Sequence, residues 1–263
     1  KWDMNRDLVQ AAHLGQAASH QQVKQLYRLF GMLNEKHPDV EIESCASGGG
    51  RIDLGILQYT SRVWLSDCND PLERQYSQRG FSVFLPPDIM GSHIGPAPAH
   101  TTLRHHNLGF RALTSLFAHM GIEWDISTLN DEESAELRSY LEIYKQYRGL
   151  IHGGDSIRFD YCDSAYAYGV IAKDQSQALV NVAQLTMPIA EFNPLLKIPG
   201  LAPEALYEVS IVKATHPMGG QLLKYKPAWC DAPIQLSGEC LAKIGLQMPT
   251  LYPESAVLLR LIR

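Results

Sequence analysis

The sequence predicts part of an eight-stranded βα barrel followed by an antiparallel β-sandwich. Three observations carry this. Residues 1–150 alternate short apolar runs with helical periodicity, the mark of βα units around a parallel sheet. Residues 151–263 are a string of short β-rich segments separated by Gly, Pro and Asp turns. Two acidic residues, Asp3 and Asp67, end two of the early apolar runs.

In order, residues 1–4 form the end of a first strand. Residues 22–37 follow as an amphipathic helix, with Val23, Leu26, Tyr27, Leu29, Phe30 and Leu33 near helical spacing and Pro38 closing it. A strand over 40–44 opens into Cys45-Ala46-Ser47-Gly48-Gly49-Gly50-Arg51, and a third strand over 62–66 ends at Asp67. Asp70-Pro71 with Glu73 starts a helix: an N-cap, Pro at the first position, an acid in the first turn. Residues 88–91 read as a fourth strand leading to His93, 101–120 as a helix, 121–126 as a fifth strand and 130–147 as a helix whose acid-to-basic order suits its macrodipole. Gly153-Gly154 is the expected linker. Beyond it, segments 156–162, 165–172, 178–186, 206–212, 234–241 and 254–263 are the expected strands. The division is therefore a barrel part at 1–150 and a β-sandwich at 151–263. A complete barrel needs roughly 250 residues, and the chain opens without Met on residues that carry chemistry, so the remaining strands are expected upstream of Lys1 in a longer polypeptide.

Composition excludes several functions. The net charge is -5 with no basic stripe, which gives nucleic acid no footprint. No apolar run reaches the length of a membrane span. Five cysteines without CxxC spacing argue against a disulfide framework and a structural zinc site, and favour a reducing, cytoplasmic setting. His105 and His106 are adjacent and point apart on a helix, so with His93 they do not make a metal site; no metal and no cofactor are expected.

Asp3 and Asp67 lie 64 residues apart, two βα units. In a barrel all strands open their C-terminal ends on one face, so the two carboxyls would address one cavity. At about 5 to 5.5 Å apart, such a pair performs retaining glycoside cleavage, one as nucleophile and one as acid then base. Strand-end aspartates also cap turns and helices, so neither residue alone carries the reading. The glycines at 48–50 match no phosphate-binding spacing, but Gly lets a backbone approach a ligand closely. Trp64 and Trp124 sit in apolar strands, where packing is expected. Trp2, next to Asp3, is the better platform for a sugar ring.

The segments Lys1-Trp2-Asp3-Met4-Asn5, Cys45 to Asp53, Trp64-Leu65-Ser66-Asp67 with Asp70, and Met90-Gly91-Ser92-His93 resemble, in order, the α-galactosidases of glycoside hydrolase family thirty-six. The resemblance implies a retaining α-galactosidase acting on melibiose- and raffinose-type α-galactosides without a metal or cofactor. Asp3 would be the nucleophile and Asp67 the acid/base, with Lys1, Asn5, Cys45 and Gly48 lining the sugar subsite. It also implies homo-oligomers, dimers or tetramers. Cys68 and Asn69 stand where the family has Asn or Asp and then Thr, and the acidic pair it uses on an early strand falls outside this chain. N-acetylgalactosaminidases and galactosyltransferases that use sucrose share the same carboxylates and are alternatives within the family. A truncated, non-catalytic carbohydrate-binding or assembly fragment is the alternative of another class.

Overall fold

A computed structural model describes residues 1–3, 12–218 and 226–263. Its first half holds strands β1 (Trp2–Asp3), β2 (Ala12–His13), β3 (Gln16–Ala17), β4 (Glu43–Cys45), β5 (Arg62–Trp64), β6 (Met90–Ile94) and β7 (His119–Ile122), with helices α1 (Ser19–Lys36), α2 (Pro71–Phe81), α3 (Leu108–Ser115) and α4 (Asp131–Gly153). β2 and β3 make a small hairpin, and the other five form a parallel sheet in the order β1-β4-β5-β6-β7. The second half holds β8 (Asp155–Cys162), β9 (Ala165–Ile171), β10 (Gln177–Gln184), β11 (Leu206–Ala214), β12 (Ile234–Ser237), β13 (Ser255–Ile262) and the short helix α5 (Gly238–Lys243). These six strands form an antiparallel sheet in the order β12-β11-β13-β10-β9-β8. The architecture is thus part of a βα barrel followed by the antiparallel β domain, as expected.

The parallel strands follow the period of two. Val63, Leu65 and Met90 pack outward with Phe81 at the end of α2 and with Leu85 and Ala118 of the loops after α2 and α3. The residues between them, Trp64 and His93, meet on the inner face with ring centroids 4.3 Å apart. Gly91 makes room there, since a Cβ on it would stand 3.2 Å from the Trp64 ring.

Several boundaries differ from the sequence reading. The helix expected over 101–120 is only α3. Asn107 caps it by accepting the Phe110 N–H at 2.7 Å, Leu103 upstream has a left-handed backbone (φ 60), and Thr102 and Arg104 are drawn to Asp70 instead of coiling. Residues 119 and 120, assigned to that helix, open strand β7, so the fifth strand begins two residues before 121 and stops short of 126. The fourth strand lies later than 88–91, because Pro86-Pro87 opens a 3-10 turn ahead of Met90. Met4 and Asn5 lie outside the described residues. Gly153-Gly154 is no linker: Gly153 ends α4 and Gly154, extended at φ -87 and ψ 176, passes directly into β8.

The two halves share a core. β10 and β13 are buried on both faces. Leu179, Ala183, Ala256 and Leu258 face Phe110, Leu113 and Tyr140 of α3 and α4. The alternate residues Val180, Val182, Val257, Leu259 and Leu261 face the opposite way, against Leu196, Trp229, Leu241 and Met248. That second layer is made of extended segments, a 3-10 turn at Ala228–Cys230 and α5, with an antiparallel bridge between Leu196 and Leu246. A chain of buried polar groups also crosses the junction: Gln75 of α2 donates to Thr114 and Tyr168, and Asn181 donates to the same Tyr168 hydroxyl.

Asp70, fully buried, fixes the start of α2. Its Oδ1 accepts the N–H groups of Leu72 and Glu73, and its Oδ2 accepts from Thr102 and Arg104. Burial pushes this carboxyl up, but the bonds from Thr102 and the Glu73 N–H outweigh it and leave the group below the ordinary carboxylate range. A depressed folded-state value stabilises the fold above the unfolded pKa and ceases to do so as pH falls through the depressed value. Asp70→Asn is therefore expected to flatten the loss of stability on acidification below about pH 4, as read by denaturant midpoints across pH, and Asp70→Ala to cost about 0.5–2 kcal/mol at neutral pH. Leu258→Ala is expected to cost about 2–5 kcal/mol and, through the shared core, to shift fluorescence and far-ultraviolet dichroism transitions together.

Candidate active site

Parallel pairing decides the layout. Asp3 ends β1 in register with Cys45 at the end of β4, and Asp67 follows β5 by three residues. β4 lies between β1 and β5, so both aspartates stand at the same end of the sheet, on strands whose axes are about 10 Å apart. Both are exposed.

Lys1 and Asp3 share one face of β1, and Trp2 takes the other. Lys1 Nζ lies 4.3 Å from the centroid of the Trp64 ring, a cation–π contact on the inner face. The Cys45 thiol is buried and hydrogen-bonded to the Asp3 carboxylate. Burial, chiefly, pushes its pKa up, and the Gly48 backbone and Lys1 only partly counter this, so Cys45 remains a thiol that can donate to Asp3. At the other carboxylate, the Trp64 indole N–H donates to Asp67 Oδ1 at 2.9 Å. Beside them His93 Nδ1 lies 2.9 Å from Glu123 Oε2. Burial pushes Glu123 up, but His93 and Lys1 help hold it below the usual carboxylate range.

The Cys45–Arg51 turn folds on itself: Ala46 N–H donates to Gly48 O, Gly50 N–H to Ala46 O, and Arg51 Nη1 to Cys45 O. Gly48 has a left-handed backbone (φ 74), and a Cβ there would stand 2.5 Å from Ser66 Cα. The absent side chain lets this turn press against the loop that bears Asp67.

The structure therefore brings together Lys1, Asp3, Cys45, Gly48 and Asp67. It does not bring in Trp2, whose ring meets Phe30 of α1 edge-on at 5.1 Å on the outer face. As a correction to the sequence reading, Trp2 is a packing residue between sheet and helix, because neighbours on a strand point oppositely. Asn5 lies outside the described residues. Trp64, expected to be core, is buried but also touches Asp67. Among the described residues no group of three His, Cys, Asp or Glu could hold a metal ion, and no helix is long and apolar enough to cross a membrane.

Comparison with known proteins gives the family. Residues 1–154 match the family model described as Melibiase, and residues 165–261 match the glycosyl hydrolase family 36 C-terminal domain. The chain is 49% identical over 270 residues to an α-galactosidase of Escherichia coli, covering 100% of this chain and 38% of that protein. It is 34% identical over 211 residues to the bifunctional α-galactosidase/sucrose kinase AgaSK of Mediterraneibacter gnavus, covering 79% and 22%. The solved galactosidase domain of AgaSK superposes with a TM-score of 0.84 at 29% identity, over 99% of this chain and 34% of that one. The α-galactosidase AgaA of Geobacillus stearothermophilus in complex with raffinose gives 0.83 at 26%, over 99% and 35%. The chain thus spans less than two-fifths of the length of each of these proteins. By its matches to both family models and its identity to these relatives, the chain belongs to the Melibiase family, with a glycosyl hydrolase family 36 C-terminal domain.

Proposed function

We propose that this chain supplies part of the catalytic barrel and the C-terminal domain of a retaining α-galactosidase. The observation that carries the reading is the common placement of Asp3 and Asp67 at one end of parallel strands, with a single strand between them. The names of the similar proteins, and the raffinose and stachyose bound by AgaA, support terminal α-galactosides of oligosaccharides as the substrates. The same reading takes in a cytoplasmic protein that assembles as a dimer or tetramer.

In this mechanism the Asp3 carboxylate attacks the anomeric carbon. The C1–O bond to the leaving sugar breaks as the Asp67 carboxyl gives its proton to that oxygen, and a β-galactosyl ester of Asp3 forms. Water, deprotonated by Asp67, then opens the ester and restores Asp3, so two inversions give net retention. The Cys45 S–H bond to Asp3 holds the attacking carboxylate in orientation, and the Trp64 N–H, a donor only, occupies Oδ1 of Asp67. The transferable proton therefore sits on Oδ2. Lys1, with the Gly48 turn and Asn5, completes the galactose subsite.

In the complete polypeptide, Asp3→Ala is expected to abolish hydrolysis of nitrophenyl α-galactoside. Added azide is expected to restore turnover to Asp3→Gly, with β-galactosyl azide as product by nuclear magnetic resonance. Full activity in the first variant, together with no azide product from the second, would remove the nucleophile. Asp67→Ala is expected to lose about 10²–10⁴-fold in kcat/KM on melibiose and far less on an activated aryl galactoside; an equal loss on both would remove the acid.

A further inference from the structure

Arg74, on the first turns of α2, is 1% exposed and takes no part in the chemistry above. Its Nε donates to Cys68 O at 2.8 Å, and its Nη2 donates to Ser66 O at 2.7 Å and to Asn69 Oδ1 at 3.1 Å. Nη1 reaches Gly91 O on β6 at 3.5 Å. The guanidinium carbon lies 4.4 Å from the centroid of the Trp64 ring. These acceptors are all uncharged oxygens. They include the carbonyls immediately before and immediately after Asp67, and the ring beneath the guanidinium is the one whose N–H binds the Asp67 carboxylate.

Burial without a paired carboxylate is costly for a cation. Where only stability is at stake, an apolar side chain of similar volume serves as well or better. Burial lowers the Arg74 pKa to about 10, with Cys68, Glu123, Asp67 and Glu43 the facing groups that oppose the shift, so the residue stays charged at neutral pH. An apolar residue cannot grip two carbonyls on either side of one position, and a lysine cannot hold the planar fork that spans them.

The geometry points to Arg74 as the positioning residue for the proton donor: it fixes the backbone on both sides of Asp67 and holds the Trp64 ring that orients its carboxyl. The inference rests on the galactosidase reading. It deepens that reading by assigning control of proton delivery to a buried side chain on the next helix.

A positioning role shows in which substrates suffer. A sugar leaving group needs the proton when its bond breaks; 4-nitrophenolate leaves without it. In the complete polypeptide, Arg74→Lys is expected to lower kcat/KM for melibiose about 100-fold, the cost of roughly 1 Å of misplacement, and kcat/KM for 4-nitrophenyl α-galactoside less than about threefold. Trp64→Phe keeps the stacked ring and removes only its N–H. It should show the same split, about tenfold, and stands as the test if Arg74→Lys does not fold by circular dichroism. Equal losses on the two substrates in a folded variant, or no loss on melibiose, would overturn the assignment. If the unaltered protein hydrolyses neither galactoside, it is the galactosidase reading that fails.

Discussion

The parallel hydrogen bonding of β1, β4 and β5 is the constraint on which the candidate site depends. Parallel neighbours must end on the same side, and successive residues must face opposite ways. Those two rules alone put Lys1 and Asp3 on the inner face, put Cys45 beside Asp3, and send Asp67 over the same opening from a strand once removed. A register slip of one residue on β1 would exchange Asp3 for Trp2 and bury a carboxylate against Phe30. The apolar outer layer and the need to keep Asp3 solvated oppose that slip together.

Strand ends set position to within a few ångströms, but proton transfer is sensitive to less than that. The finer placement comes from contacts between neighbouring loops. Gly48 lets the β4 turn lie against Ser66, Arg74 holds Ser66 and Cys68 from below, and Asp70 joins the α2 N-terminus to Thr102 and Arg104 from the following loop. Each group is buried and hydrogen-bonded to backbone, so none can relax without leaving a polar atom unpaired, a cost of about 1–3 kcal/mol. The loop carrying Asp67 is therefore much stiffer than its exposed position suggests.

Much of this was legible in the sequence, because it is written in local rules. The Asp70-Pro71 cap, the strands ending at Cys45 and near Asp67, and the antiparallel run after residue 154 all follow from spacing and turn chemistry. What failed did so for identifiable reasons. Adjacency to Asp3 suggests Trp2 as a sugar platform, but the period of two assigns it to the opposite face. Residues 101–107 have helical composition, but Thr102 and Arg104 are recruited by a buried carboxylate more than thirty residues away, a tertiary demand that periodicity cannot register. Nothing in the sequence analysis singles out Arg74. Its only local sign is its place four residues after the N-cap, on the side of α2 that returns over its own entry loop.

The shared core gives the second half of the chain a part in the site's geometry. The loop between β6 and α3 grips Asp70 at one end and is anchored at the other by Asn107 and α3, and α3 is clamped between α4 and the face of β10 and β13. His106 Nε2, from the same loop, stands 3.1 Å from Glu254 Oε2 at the entry to β13, and Asn107 Nδ2 reaches Thr215 O at the end of β11. Displacing the antiparallel sheet would loosen this loop, then Asp70, then the first turn of α2 that carries Arg74. The C-terminal sheet contributes no carboxylate to the candidate site, but it forms one wall of the packing that holds Asp67 in place.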